Sequence, residues 1–272
     1  MHIQSVQNLI LRKIRRILNL FGVQLTRYES NLEVTQLKNI FSTLVELAKL
    51  ERAGAHSDEV NFLRFVQENL HISKSQILQD LFVLYELREK ENGYFVEFGA
   101  ANGVDSSNSF VLEKNYNWCG ILAEPARIWH EELKEKRRCK IDYRCVWSEA
   151  GRQLFNEVSI PELSTINCYS NTDHHFKARE IGAKYYVETI SLNELLESND
   201  APLYIDYLSI DTEGSEPEIL NALDFEKYQI KIITCEHNYT QTREKIYKLL
   251  TAKGYVRKFE VFSLVDDWYV KP

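Results

Sequence analysis

Four apolar runs in this chain end in residues able to do chemistry. The first ends Glu97-Phe98-Gly99-Ala100-Ala101-Asn102-Gly103 and the second ends Glu124-Pro125, with Glu124 placed 21 residues after Gly103. The third ends Asp211-Thr212-Glu213-Gly214-Ser215-Glu216 and the fourth ends Glu236-His237-Asn238. In an open parallel sheet a ligand sits beyond the carboxyl ends of the strands, so these termini are where function should be sought. Glycines spaced Gly-x-x-x-Gly let backbone approach a ligand, and an acid ending the next strand can accept both hydroxyls of a ribose. No Gly-Lys-Ser/Thr follows the glycines and no G-x-G-x-x-G is present, which excludes a Walker loop and the dinucleotide fingerprint. Glu97 lies inside an apolar run, and an acid in a buried strand needs a reason.

Asp211 and Glu213 precede a helix start. Ser215 suits its N-cap, Pro217 its first turn, and Glu218 would complete a capping box, so Glu216 and Glu218 have an ordinary reading as first-turn acids. Capping does not account for Asp211 or Glu213. Where neighbouring strand ends meet, Asp211 and Glu236 would suit a hard, oxygen-preferring cation such as Mg²⁺. The same groups could equally hold a substrate hydroxyl in a hydrogen-bonded network, with His237 as general base near neutral pH. His174 and His175, in a segment of weak periodicity from about Ser159 to Lys184, are a further pair to test, against an ordinary solvated surface.

These groups are positioned by short β-rich runs that alternate with helical segments after Gly93. Strands are expected at Tyr94 to Phe98, Trp118 to Ala123, Lys140 to Val146, Tyr185 to Ile190, Tyr204 to Ile210 and Lys231 to Glu236, closed by a hairpin of Tyr255 to Phe262 with Asp267 to Val270. Helices are expected at Ser107 to Tyr116, Ile128 to Lys136, Pro217 to Ala222 and Thr242 to Lys253. The alternation indicates an α/β fold, a parallel sheet with helices on both faces. The first 90 residues read as almost wholly helical. Leu37, Ile40, Phe41, Leu44, Leu47 and Leu50 keep helical spacing, as do Ile3, Val6, Ile10, Ile14, Ile17 and Phe21, with Arg12, Lys13, Arg15 and Arg16 interspersed. The face at residues 3–21 could lie on an anionic membrane surface, bind a partner helix or a second copy, or pack on its own domain.

Composition narrows the class. At 272 residues with 44% hydrophobic and 27% charged, the chain can bury a large core. A net charge of -7 argues against broad binding to nucleic acid, which needs a basic surface. Cys119, Cys139, Cys145, Cys168 and Cys235 form no C-x-x-C pair, and reduced thiols in a cytoplasmic protein are the simplest reading. No run approaches the roughly 20 apolar residues of a membrane span, and the basic start of the chain is a poor signal peptide.

Several segments together resemble the FkbM-like S-adenosylmethionine-dependent methyltransferases. Gly93 to Ala100, Ser107-Asn108-Ser109, Leu112-Glu113-Lys114 and Trp118 to Pro125 are similar to that family's cofactor half; Glu188 to Leu195 and Leu208 to Glu216 are similar to its second half. The likeness covers roughly 75–270, with Ser75-Gln76 and Gln79-Asp80 just before the sheet. Ser109 stands where threonine is expected and Cys119 where lysine is common.

The resemblance implies a seven-stranded Rossmann-like methyltransferase domain over 71–272, after a helical extension over 1–70. It implies methyl transfer from S-adenosylmethionine, usually to oxygen, with a sugar or glycan acceptor. Glu97, Gly99, Ala100 and Gly103 would shape the methionine side of the cofactor, Ser107 and Asn108 would meet its carboxylate, and Glu124 would hold the ribose. Val146, with Cys145 and Trp147, would flank the adenine or pack in the core. Asp211 would face the acceptor, joined by His237, Glu213 and Glu236. N-methylation is the rival within the fold, and a non-catalytic scaffold at the inner face of the membrane is the rival outside it.

Overall fold

The computed structural model describes Lys49, Gly54 and residues 57–272. The apolar stripes expected at residues 3–21 and at Leu37 to Leu50 lie outside the described residues. Helices α1 (Asp58–Asn69) and α2 (Gln79–Glu86) precede β1 (Tyr94–Phe98). There follow α3 (Phe110–Tyr116), β2 (Cys119–Ala123), α4 (His130–Lys136) and β3 (Lys140–Asp142). The chain then makes β4 (Cys145–Trp147), β5 (Gly151–Val158), β6 (Thr165–Ile166), α5 (Phe176–Arg179) and β7 (Gly182–Ser191). Its last part is α6 (Leu192–Ser198), β8 (Tyr204–Ile210), α7 (Glu216–Ala222), β9 (Gln229–Glu236), α8 (Thr242–Ala252), β10 (Val256–Lys258), α9 (Glu260–Ser263) and β11 (Asp266–Val270).

These elements make a mixed α/β fold. A seven-stranded sheet runs β10-β11-β9-β8-β1-β2-β3, parallel through its centre, with β11 antiparallel to β9 and β10 antiparallel to β11. Along β1, Val96 and Phe98 join the core shared with α6, α7 and α8, whereas Phe95 joins the opposite core shared with α1, α2 and α3. This is the period-2 alternation of a strand covered on both faces. In the second core Trp268 stacks on Phe82 at 4.7 Å and Phe62 stacks on Phe259 at 4.6 Å. Burying each such ring contributes about 1.5–3 kcal/mol. The described end of the expected extension, α1, therefore packs on the same core as the sheet.

A second sheet of four strands, β4-β7-β5-β6, was not read from the sequence. The run from Lys140 to Val146 is two strands, not one. The buried Asp142 carboxylate accepts from the Arg144 backbone N–H at 2.9 Å and from its guanidinium at 2.9 and 2.6 Å, which turns the chain out of the first sheet into the second. The segment from Ser159 to Lys184, expected as a long loop or an insertion, carries β6, α5 and the start of β7. The expected strand from Tyr255 to Phe262 stops at Lys258, because Phe259 takes a left-handed φ of 53° before α9. Among the described residues no helix is long and apolar enough to cross a membrane.

Candidate active site

Strand register brings the four polar termini to one edge. Phe98 is level with Ala123 of β2 and Ile210 of β8, and Ile210 is level with Cys235 of β9. The residues that follow, Gly99, Glu124, Asp211 and Glu236, therefore leave the sheet side by side. On the far side of β9, Asp266 of β11 is level with Glu236.

The Gly99 turn is built against its neighbours. Gly99 has φ 74°, and a Cβ there would lie 1.8 Å from the Asp211 carbonyl oxygen. Gly103 has φ 75°, and a Cβ there would lie 2.6 Å from Leu133 Cδ2. Both positions need glycine for left-handed backbone and for close protein packing. Ala100 is buried, and its carbonyl accepts from Gly103 N–H at 2.8 Å to close the turn. Glu124 accepts from Ala101 N–H at 3.0 Å and Ala126 N–H at 2.8 Å. Burial raises its carboxyl to about 7 against the opposing pull of these two donors.

Glu97 has its reason in the loop that follows. Its carboxylate accepts from Asn108 N–H at 2.7 Å, from the Ser107 hydroxyl at 3.1 Å and from the Ser109 hydroxyl. Arg137, with a fully buried side chain, lies 4.0 Å away. It donates to the Gly103 carbonyl at 2.9 Å and to the Ser107 and Ser109 hydroxyls at 3.1 and 2.9 Å. Asn108 Nδ2 donates to the Ser209 hydroxyl at 2.9 Å. Because residues 107–109 spend their polar groups this way, α3 begins at Phe110 rather than Ser107. Ser107 and Asn108, expected at a cofactor carboxylate, hold Glu97 and β8. Val146 belongs to the main core, consistent with packing, while Cys145 packs in the smaller core of the second sheet.

Beyond β8 and β9 the acids face each other. Ligand oxygens of Asp211, Glu213 and Glu236 all lie within 4.8 Å of one another. Burial pushes the Asp211 carboxyl up to about 7, offset in part by a hydrogen bond with Glu236. Two carboxyl groups so bonded hold a proton between them. Burial, with Asp211 next, also holds Glu236 and Glu213 well above the usual carboxylate range. Glu213 has a left-handed φ of 60° and accepts from Arg179 Nη2 at 2.7 Å and Asn238 Nδ2 at 3.1 Å. Asp266 accepts from Gln79 Nε2 at 2.9 Å, linking the group to α2.

Two further expectations are corrected here. Ser215 makes no capping bond; its hydroxyl donates to Thr212 Oγ1 at 2.8 Å, and no capping box with Glu218 forms. Glu216 is a buried organiser of the loop, accepting from Thr212 N–H at 3.0 Å and Gly214 N–H at 2.9 Å. His237 lines the same small cavity as Glu236, but its ring is engaged elsewhere: Nδ1 accepts from Tyr239 N–H at 3.0 Å and Nε2 lies 3.7 Å from Asp267. Burial lowers it to about 4, so its ring is neutral and a poor base at neutral pH. His174 is exposed, and neither it nor His175 lines the cavity of about 30 Å³ bounded by Thr172, Asp173, Glu216, Glu236, Asn238 and Thr240. Arg137, Arg179, Asp266 and Gln79 do most of the supporting work, and sequence reasoning assigned none of them a role in the site. Their one signal was the polar pair Gln79-Asp80 at a helix start.

Residues 97–259 match the family described as the methyltransferase FkbM domain. The chain belongs to that family. FkbM membership gives it a methyltransferase domain, and the match begins at Glu97, the acid that anchors the first loop. A methyltransferase FkbM from Methylobacillus flagellatus KT is 14% identical, covers 87% of this chain and 59% of its own, and superposes with a TM-score of 0.41. A precorrin-6y C5,15-methyltransferase from Geobacter metallireducens GS-15 is 15% identical, covers 66% of this chain and 71% of its own, with a TM-score of 0.38. This chain thus spans 59% of the length of the Methylobacillus protein. A comparison with curated proteins finds no match.

Proposed function

We propose that this FkbM-family chain transfers a methyl group from S-adenosylmethionine to a hydroxyl of a sugar, glycan or sugar-bearing metabolite. The observation that carries the reading is the facing pair Asp211 and Glu236, with carboxyl oxygens within 4.8 Å of each other, set beside the exposed Gly99, with Asp211 one strand removed from the level of Glu124. The residues fit the cofactor: each Glu124 oxygen accepts one backbone N–H and keeps a lone pair for a ribose hydroxyl. The cofactor supplies a methyl group on a sulfonium, which a neutral hydroxyl attacks poorly. Asp211, with a carboxyl near 7, takes the proton from that hydroxyl as it attacks, while Glu236 beside it keeps its own. Asn238, Thr172 and Thr240 around the small cavity offer the hydrogen-bonding groups that a polyol needs.

A divalent metal is the second reading of the same group, favoured by the oxygen-only set Asp211, Glu213 and Glu236. Mg²⁺ would be held chiefly by Asp211 and Glu236, since Glu213 already accepts from Arg179 and Asn238. It would replace the shared proton and lower the pKa of the acceptor hydroxyl. Residues 3–21 would provide the contact with a membrane surface or second copy.

Calorimetry with S-adenosylmethionine tests the proposal at its base: saturable binding is expected, and its absence would remove the enzyme reading. Labelled cofactor offered with a panel of methyl hexopyranosides, and with amines as the rival class, decides oxygen against nitrogen. EDTA should abolish transfer if the metal reading holds; full activity in the chelator would leave Asp211 as base.

A further inference from the structure

We infer that Arg179, carried by the segment between β5 and β7, is a positioning residue for methyl transfer: it fixes the Glu213 carboxylate in the acid cluster and couples the second sheet to the acceptor half of the site. The inference rests on the methyltransferase reading above.

The guanidinium is fully buried and its donors are divided between two parts of the molecule. Nε donates to the Leu163 carbonyl at 2.7 Å, and Nη1 donates to both Asp173 oxygens at 2.9 Å. These partners belong to its own segment, whose backbone is tied back by Asn156 Nδ2 donating to the Arg179 carbonyl at 2.9 Å. The remaining nitrogen, Nη2, leaves the segment and donates to Glu213 Oε2 at 2.7 Å. A planar fork with donors in three directions can do this; an ammonium on a flexible stem cannot hold the same three partners in place.

A purely structural staple would be redundant here. The Thr165 hydroxyl already ties the segment to the loop after β8, 3.1 Å from each of the Thr212 and Glu213 carbonyls. Gly214 also packs against it, since a Cβ there would lie 3.1 Å from Thr172 Oγ1 and 3.2 Å from Tyr169. These contacts hold the backbone, whereas Arg179 holds the carboxylate. Its charge meets Glu213 where Asp173, Asp211 and Glu216 all press on the same acid. Without it the buried Glu213 carboxyl would lose the closer of the two donors that hold it in the cluster. Asp173 lines the small cavity too, so the Arg179 pair forms part of the acceptor wall.

Arg179→Lys and Thr165→Val separate the two roles. For Arg179→Lys we expect an S-adenosylmethionine Kd within about twofold of the parent and a kcat toward methyl hexopyranosides lower by on the order of 100-fold, the scale of a misplaced group. Its crystal structure should show the Glu213 carboxylate withdrawn from Asn238. Thr165→Val should keep most of the kcat. Parental kcat in Arg179→Lys, an unmoved Glu213 in its crystal structure, or an equal loss in Thr165→Val would each overturn the inference. Should Arg179→Lys fail to fold, the pair Arg179→Gln with Glu213→Gln removes the buried charge together with its partner; it should fold, bind cofactor and turn over poorly, and parental turnover would overturn the inference. A parent chain that binds no S-adenosylmethionine refutes the proposed function instead, and the crystal comparison still decides what places Glu213.

Discussion

Glu97, one residue from the end of β1, and Asp211, directly after the adjacent parallel strand β8, are both carboxylates near the same sheet edge, yet their surroundings are opposite. Glu97 is enclosed by donors: a backbone N–H, two serine hydroxyls and, 4.0 Å away, the guanidinium of Arg137. Asp211 is enclosed by acids, with Glu236 hydrogen-bonded to it and Glu216 and Glu97 raising it further. A carboxylate with its lone pairs filled by donors is a structural anchor. One held among other acids near pH 7 is available to take up a proton or to meet a cation. What divides structure from chemistry here is the supply of donors.

The largest effect should come from Asp211→Asn. Methyl transfer should fall by about 10²–10⁴-fold, the range for loss of a positioned base, with cofactor affinity little changed. In the parent, kcat should rise with pH through about 7 as Asp211 ionises, and the variant should lack that limb. Glu97→Ala should instead cost stability, about 1–3 kcal/mol by denaturant unfolding, because it leaves the buried Asn108 N–H and the Ser107 hydroxyl without their acceptor while Arg137 keeps Glu113. If the two variants behaved alike in both assays, the contrast between anchor and base would collapse.

Glu124→Ala tests a site between these extremes, where two N–H donors coexist with a carboxyl raised to about 7. Loss of hydrogen bonds from the ribose to a charged acceptor should weaken S-adenosylmethionine by about 1.5–3 kcal/mol. Unchanged affinity in calorimetry would count against the ribose role.

The smallest effect concerns stability and pH. For Asp211 and Glu124 the folded carboxyl is raised, so between about pH 4 and pH 7 the native state holds more protons than the unfolded state. Stability from these groups should therefore fall as pH rises through that window. Unfolding midpoints at pH 5 and pH 8 measure it, and Asp211→Asn should flatten the dependence. A steeper fall in the variant would contradict the sign.

Much of the first sheet was legible because its strands are buried on both faces and read as continuous apolar runs. Tyr94 to Phe98 and Tyr204 to Ile210 were placed within their observed bounds, and the polar residues ending them marked the cleft. Of the second sheet only Tyr185 to Ile190, within β7, was legible, for the converse reason. Its strands are short or half-exposed, as along β5 and β7, and a two-residue turn at Tyr143 and Arg144 hid the change of sheet.

By itself, then, the sequence determined the alternation of strands and helices, the family, and that Glu124, Asp211 and Glu236 stand at strand ends. These follow from local pattern, since apolar periodicity and a break in it are properties of neighbouring residues. Only the tertiary structure decided which acids have donors. Arg137 lies 40 residues from Glu97 and Arg179 lies 34 from Glu213, and whether a buried carboxylate is an anchor or a base depends on charges that the fold brings to it from such distances.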